Sequence, residues 1–195
     1  MNKTIFGPLV TVGLAALTAC ASTAGRNTAP SAANSIYSED CITEQEVVEA
    51  QRAWGDGIVK IGNVFSEGGD YTKAAADHIN QFYGYDLSLV LFKPTLASQE
   101  QFRASFDGAL SYFVGGNPSH AEDKGFALRP WTKVRWSNSG IINNSCTMAV
   151  AMGNYFFTPA NGDEVKVEYS IGYVKDRNGD LRIVLHQSSL PYKAQ

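Results

Sequence analysis

From Trp131 onward apolar and polar residues alternate with a period of two, and that period limits the fold more than any other feature of the chain. "WTKVRWS" leads into an expected turn at Asn138-Ser139-Gly140, and a long strand then runs to Thr158. Asn161-Gly162 turns the chain again, a strand follows from Glu164 to Lys175, and Asn178-Gly179 precedes a last strand from Leu181. Asn-Gly between alternating runs marks a tight hairpin, because both residues tolerate positive φ. The C-terminal half therefore reads as an antiparallel meander, and a meander has an apolar face that something else must cover.

The residues before it supply the cover. From Thr43, Val47, Trp54, Ile58, Ile61 and Phe65 recur at steps of seven, four, three and four, which is one helical face. Thr43 and Glu46 form a capping box at its start. Gly55, Gly57 and Gly62 weaken this helix and predict a bend. A second helix is expected after Asp70, with Ala75, Ile79 and Phe82 inward. "LSLVLFKPT", Leu87 to Thr95, reads as a buried strand stopped by Pro94. Ser98 and Gln101 suggest another capping box, opening a third helix through Phe102, Phe106, Ala109 and Phe113 to Gly115-Gly116. Helices on one face of a curved antiparallel sheet give an α+β fold with a cavity between the layers.

The first residues are of another kind. "MNKTIFGPLVTVGLAALTAC" has a lysine near its start, an apolar stretch from Ile5 to Leu17 and small residues up to Cys20, the pattern of a secretory signal. Leu17-Thr18-Ala19-Cys20 has the form of a lipobox, which would make Cys20 the lipidated first residue of the mature chain, the alternative being an ordinary signal peptide cut nearby, after Ala21, with Cys20 incidental. Residues 21–40 are small and polar and read as a flexible tether, leaving residues 41–195 as a single domain. The chain is thus expected in the cell envelope or periplasm, anchored to a membrane only through lipid.

The whole sequence carries 16 basic and 19 acidic side chains, net −3; removal of residues 1–19 takes away Lys3 and leaves 15 against 19, net −4. A mildly acidic chain without a basic stripe is not a nucleic-acid binder. In an oxidising compartment Cys41 and Cys146 can pair as a disulfide, the alternative being two unpaired thiols, and they lack the spacing of a thiolate zinc site.

The last apolar run ends in "LHQSSLP", Leu185 to Pro191. The chain has three histidines, His78, His120 and His186. His78 falls on a helix and His120 in a loop, whereas His186 shares a strand face with Ser188, where a histidine beside a hydroxyl can move a proton. A strand end that needs polar partners would look the same. The faces are ambiguous: Arg182, Val184, His186 and Ser188 alternate with Leu181, Ile183, Leu185, Gln187 and Ser189, and the second set is the more core-like. Thr95, Tyr112, Arg103 and Lys93 are further polar candidates. No HExxH, GxSxG or Gly-rich phosphate loop is present.

"FKPT" (Phe92 to Thr95), "FR" (Phe102-Arg103), "YFVGG" (Tyr112 to Gly116), "EDKGFA" (Glu122 to Ala127) and "HQSSLP" (His186 to Pro191), in this order, resemble the iota-class carbonic anhydrases. The resemblance implies an NTF2-like cone of helices and curved sheet, similar to the calcium/calmodulin-dependent kinase association domain and usually a homodimer. It implies reversible hydration of carbon dioxide to bicarbonate, in some members without a metal cofactor and in others with manganese or zinc. Carried over by motif, the catalytic roles fall on Thr95, Tyr112, His186 and Ser188, and substrate binding on Thr95, Tyr112, Ser188 and Arg103. Where the family has two or three adjacent histidines this chain has His186-Gln187; were Gln187 the aligned position, Ser189 would be its partner.

Two other functions fit such a fold: a non-catalytic binding or oligomerisation module, and an isomerase whose base would be Asp107 or Asp86.

Overall fold

The computed structural model describes residues 40–142 and 146–194, which fall in one unit, Ala32–Gln195. The signal, lipobox and most of the tether lie outside the described residues. Thr43 caps helix α1 (Glu44–Ser66): its Oγ1 accepts from the Glu46 N–H at 3.2 Å, and its own N–H donates to Glu46 Oε2 at 2.7 Å. Asp70 caps α2 (Tyr71–Phe82) by accepting from the Lys73 N–H at 2.8 Å. A short strand β1 (Leu91–Lys93) and helix α3 (Phe106–Val114) follow, then β2 (Trp131–Ile142), β3 (Met148–Pro159), β4 (Val165–Lys175) and β5 (Leu181–Ser189).

The five strands form one sheet in the order β1-β5-β4-β3-β2. Strands β2 to β5 pair antiparallel as a meander, and β1 adds parallel to β5, Phe92 opposite His186. Alternate residues of β3 and β4, among them Ala149, Ala151, Tyr155, Phe157, Val167, Tyr169, Ile171 and Tyr173, face the helices and form the core with Val47, Trp54, Ile58 and Ile61 of α1. Trp54 is the hub, its ring 5.6 to 6.5 Å from those of His78, Phe113, Trp136, Tyr155, Phe157 and His186. The Cys41–Cys146 disulfide ties the start of the domain to the start of β3 across 105 residues.

The structure corrects five sequence expectations. The glycines of α1 do not interrupt it; they are points of close approach, where a Cβ at Gly55 would meet Val134 at 2.9 Å and one at Gly62 would meet the Arg129 carbonyl at 3.0 Å. The strand expected over Leu87 to Thr95 shrinks to three residues, with Leu89 and Leu91 exposed. Helix α3 begins not after Ser98 but after Ser105, whose hydroxyl accepts from the Gly108 N–H at 3.1 Å, and Phe102 is exposed. Asn138-Ser139-Gly140 lies inside β2, where a register shift between Asn138 and Gly140 absorbs it as a bulge rather than a turn. Phe65 also leaves the buried face and packs edge-on against Tyr71.

Two histidines are in this core, His78 at 5% exposure and His186 at 2%. Burial holds both pKa values down, to about 3, with the nearby His186 adding to the effect on His78. The unfolded chain protonates both from about pH 6.5, whereas the folded chain resists down to about 3. Stability is therefore full above the unfolded value and falls as pH drops through this window, by about 1.4 kcal/mol per pH unit for each histidine. Urea unfolding at pH 6.5 and 4.5 measures it, and His78→Leu is expected to remove roughly half of the histidine contribution to the loss.

A second prediction concerns Gly57. Helix propensity alone makes Gly57→Ala stabilising by about 1 kcal/mol. A Cβ there, however, collides with the His78 ring, and such overpacking costs about 1–3 kcal/mol. The melting temperature is expected to fall, and to recover in the double variant with His78→Ala.

Candidate active site

A bulge in β5 decides which of its side chains face the helices. Gly172 pairs with Leu185 and Tyr173 with Ile183, so Val184 is an extra residue and the alternation changes phase there. Ile183 faces inward below the bulge, and His186 and Ser188 face inward above it, both 2% exposed. Gln187 and Ser189 go to the outer face, where the Ser189 hydroxyl donates to Glu168 at 3.2 Å.

Around His186 the fold gathers hydroxyls from four elements. The Thr95 hydroxyl, two residues past β1, donates to Ser188 Oγ at 2.9 Å. Tyr155 of β3 places its hydroxyl 3.4 Å from His186 Nε2, and the Ser188 and Thr95 hydroxyls partly oppose the rise in its pKa that burial causes. Tyr83, at the end of α2, meets His186 Nδ1 at 2.8 Å and accepts from Trp54 Nε1 at 3.2 Å. Tyr112 of α3 completes the group, where the Leu96 N–H and the Thr95 hydroxyl partly oppose the rise in its pKa that burial causes. Burial raises the pKa values of Tyr83, Tyr112 and Tyr155, so all three remain protonated donors at neutral pH. Phe92 stacks on the His186 ring at 5.1 Å, and Phe113 stacks on Phe92 at 6.2 Å, which walls the polar cluster with aromatic carbon.

Thr95, Tyr112, His186 and Ser188 are thus brought together as the motifs implied; Arg103 is not. It is fully buried and its guanidinium is committed to Asp123, Nε to Oδ2 at 3.2 Å and Nη2 to Oδ1 at 2.7 Å, with Nη1 on the Glu100 carbonyl. Ser111 donates to the same carboxylate at 2.7 Å. Glu122 next door accepts from the Ser98 hydroxyl and from the N–H groups of Ser98, Gln99 and Glu100, which push its pKa down to about 2. The Arg103 N–H also donates to the Phe92 carbonyl at 2.8 Å. "FR" and "EDKGFA" together form a clamp that closes the 94–105 loop and sets Thr95 against Tyr112. Lys93 donates to the Ser188 carbonyl at 3.2 Å, bracing the strand ends from outside.

A cavity of about 150 Å³ opens beside Tyr112, lined by Leu96, Glu122 to Phe126 and Arg129. It suits a molecule of a few heavy atoms. Neither carboxylate required by an isomerase lies in the cluster: Asp86 pairs with Arg182 at 2.6 Å, and Asp107 borders a separate open hollow beside Tyr71 and Asn117. Among the described residues no group of three or more His, Cys, Asp or Glu side chains is arranged to hold a metal ion.

Sequence reasoning missed Tyr83 and Tyr155. Tyr155 carried a signal: it falls on the inward face of β3 between Gly153 and Phe157, and a phenol there needs a partner for its hydroxyl. Tyr83 carried none, because its role depends on where the end of α2 meets β5.

The comparisons with known proteins bear on the same residues. The family described as metal-independent carbonic anhydrase matches residues 45–190. A metal-independent carbonic anhydrase from Nostoc sp. is 41% identical over 185 residues, covering 93% of this chain and 90% of the relative. The crystal structure of the iota-carbonic anhydrase from a cyanobacterium, complexed with bicarbonate, superposes with a TM-score of 0.77 at 43% identity, covering 79% of this chain and 95% of that one. Four of the five motifs, and the fifth up to Leu190, lie within the matched span, and by that match the chain belongs to the metal-independent carbonic anhydrases.

Proposed function

We propose that this chain hydrates carbon dioxide reversibly to bicarbonate at the Thr95–Tyr112–Tyr155–His186–Ser188 cluster, without a metal. The observation that carries this reading is the row of protonated hydroxyls gathered at His186, walled by Phe92 and Phe113 and bordered at Tyr112 by a small cavity.

Such a row suits a reaction whose difficulty lies in moving protons. As the water oxygen bonds to carbon, a water proton passes to one hydroxyl of the row while another hydroxyl gives its proton to a carbon dioxide oxygen. The row ends as it began and the product is carbonic acid, which loses its proton in bulk water to become bicarbonate. No group in the site has to store a charge, which fits a neutral buried histidine and three tyrosines that remain protonated. Hydroxyl donors aimed at the oxygens, where charge develops, lower the barrier further. His186 is then an orienting residue, since a histidine with so low a pKa is a weak base at neutral pH. Lys124 and Arg129 at the cavity mouth supply positive charge for the anionic product.

Stopped-flow hydration on chelator-treated protein of verified metal content tests the reading. Tyr112→Phe is expected to lower kcat by about 10²-fold, the usual effect of losing one pre-aimed donor; full activity in that variant and in His186→Ala would refute the site. The rate of hydration is also expected to lack an inflection near pH 6.5. An acidic limb there would show a working histidine base instead.

The envelope location, the lipid on Cys20 and the homodimer are part of the same proposal. The lipobox Leu17 to Cys20 supports the first two. The outer sheet face, with Leu91 and Met152 exposed, supports a second copy as its cover. Mass spectrometry of the mature N-terminus and sedimentation of the unlipidated protein are expected to show an acylated Cys20 and a dimer.

A further inference from the structure

The hydrogen-bond inventory around His186 determines more than its position. An indole N–H can only donate, and a phenol has one hydrogen to give. Tyr83 oxygen accepts from Trp54 Nε1 at 3.2 Å and lies 2.8 Å from His186 Nδ1. Were Nδ1 protonated, the Tyr83 oxygen would accept from both sides, and its own hydrogen would be left without a partner at a residue only 1% exposed. An unsatisfied buried donor is costly. With Nδ1 as the acceptor, every one of these hydrogens is placed: Trp54 N–H on Tyr83, Tyr83 O–H on His186 Nδ1, and His186 Nε2–H on Tyr155.

We propose that Trp54 and Tyr83 are positioning residues that hold His186 as its Nε2–H tautomer, so that Tyr155 accepts from the imidazole and directs its own hydrogen to the Thr95–Ser188 pair. The chain of donors then has one polarity, from Trp54 in the core to the hydroxyls at the cavity. In the other tautomer the Tyr155 hydrogen would go to Nε2, leaving Thr95 and Ser188 without that donor. Neither positioning residue touches substrate; both act through His186. The consequence for turnover rests on the carbon dioxide hydration proposed above, whereas the tautomer does not.

The direct test needs no variant. In full-length protein labelled with ¹⁵N-histidine, long-range ¹H–¹⁵N correlation distinguishes a protonated Nε2 from a protonated Nδ1, and with only three histidines His186 is assigned by comparison with His78→Gln and His120→Gln. A neutral Nε2–H ring is expected; Nδ1–H overturns the proposal. Tyr83→Phe is expected to move the His186 signal toward the Nδ1–H form and to lower kcat roughly ten- to a hundred-fold, the range seen when the partner orienting a functional histidine is removed. Tyr85→Phe is the control: its ring stacks on Tyr83 but its hydroxyl serves the Arg103 carbonyl, so it leaves the His186 signal unchanged. An unshifted signal with full kcat in Tyr83→Phe refutes the positioning role. If that variant does not fold, Trp54→Phe reads the same signal, which is expected to become a mixture of tautomers. An inactive wild-type protein with an Nε2–H ring would defeat the functional reading alone, and an active one with Nδ1–H would defeat the tautomer lock alone.

Discussion

A neutral imidazole at the centre of an aromatic core is the constraint around which the rest of the structure is arranged. His186 is 2% exposed and both ring nitrogens have hydroxyl partners, Tyr83 at 2.8 Å and Tyr155 at 3.4 Å. Burying a polar ring is tolerable only when its hydrogen bonds are made inside the protein. To make them, the end of α2 must reach β5, as the Tyr83–Ile183 bridge and the Gly84 N–H to Ile183 carbonyl bond show. Strand β3 must also present Tyr155 from the other side. His78 is the contrasting case: among the described residues neither of its ring nitrogens has a partner, and Trp54, Phe82 and Phe113 pack around it.

The second level of organisation is electrostatic and lies one layer out. Arg103 is buried because Asp123 takes two of its N–H groups and the Glu100 carbonyl takes a third. Removing one partner of such a buried pair leaves an uncompensated charge. The pair fastens the loop that carries Thr95 to the segment that follows Tyr112, so two stretches distant in sequence are held together beside the cavity that Tyr112 lines. A positive charge in a carbonic anhydrase invites the reading that it binds bicarbonate; here geometry gives Arg103 to architecture.

Much of this was legible in the sequence, and the limits have physical causes. The capping boxes at Thr43 and Ser98 were equally good as patterns, yet only the first starts a helix. At Ser98 the free N–H groups found a stronger acceptor in Glu122, 24 residues away, and the chain stayed non-helical until Ser105. The meander was visible because Asn161-Gly162 and Asn178-Gly179 are local signals; Gly162 and Gly179 both take φ of +87°. The Asn138-Ser139-Gly140 signal failed because a bulge absorbs the same residues that would form a turn. The Cys41–Cys146 disulfide formed as expected, though nothing short of the fold distinguishes two paired thiols from two free ones. His186, Ser188, Thr95 and Tyr112 could be named from motifs; Tyr83 and Tyr155 could not, since tertiary contact alone gives them their roles.

The departure at Gln187 is resolved by the same reasoning. A strictly alternating strand would bury Ile183, Leu185 and Gln187 together and turn His186 outward. The extra residue at Val184 breaks that alternation, so Ile183 and His186 are both inside although they are three positions apart. Gln187 then lies on the outer face, in register with Lys93 of β1 and Ser170 of β4. A second histidine at that position would have no access to the hydroxyl cluster, so its replacement by glutamine leaves the cavity's chemistry intact. One histidine is enough because the cluster needs an oriented donor, and Tyr83 leaves only one nitrogen free to supply it.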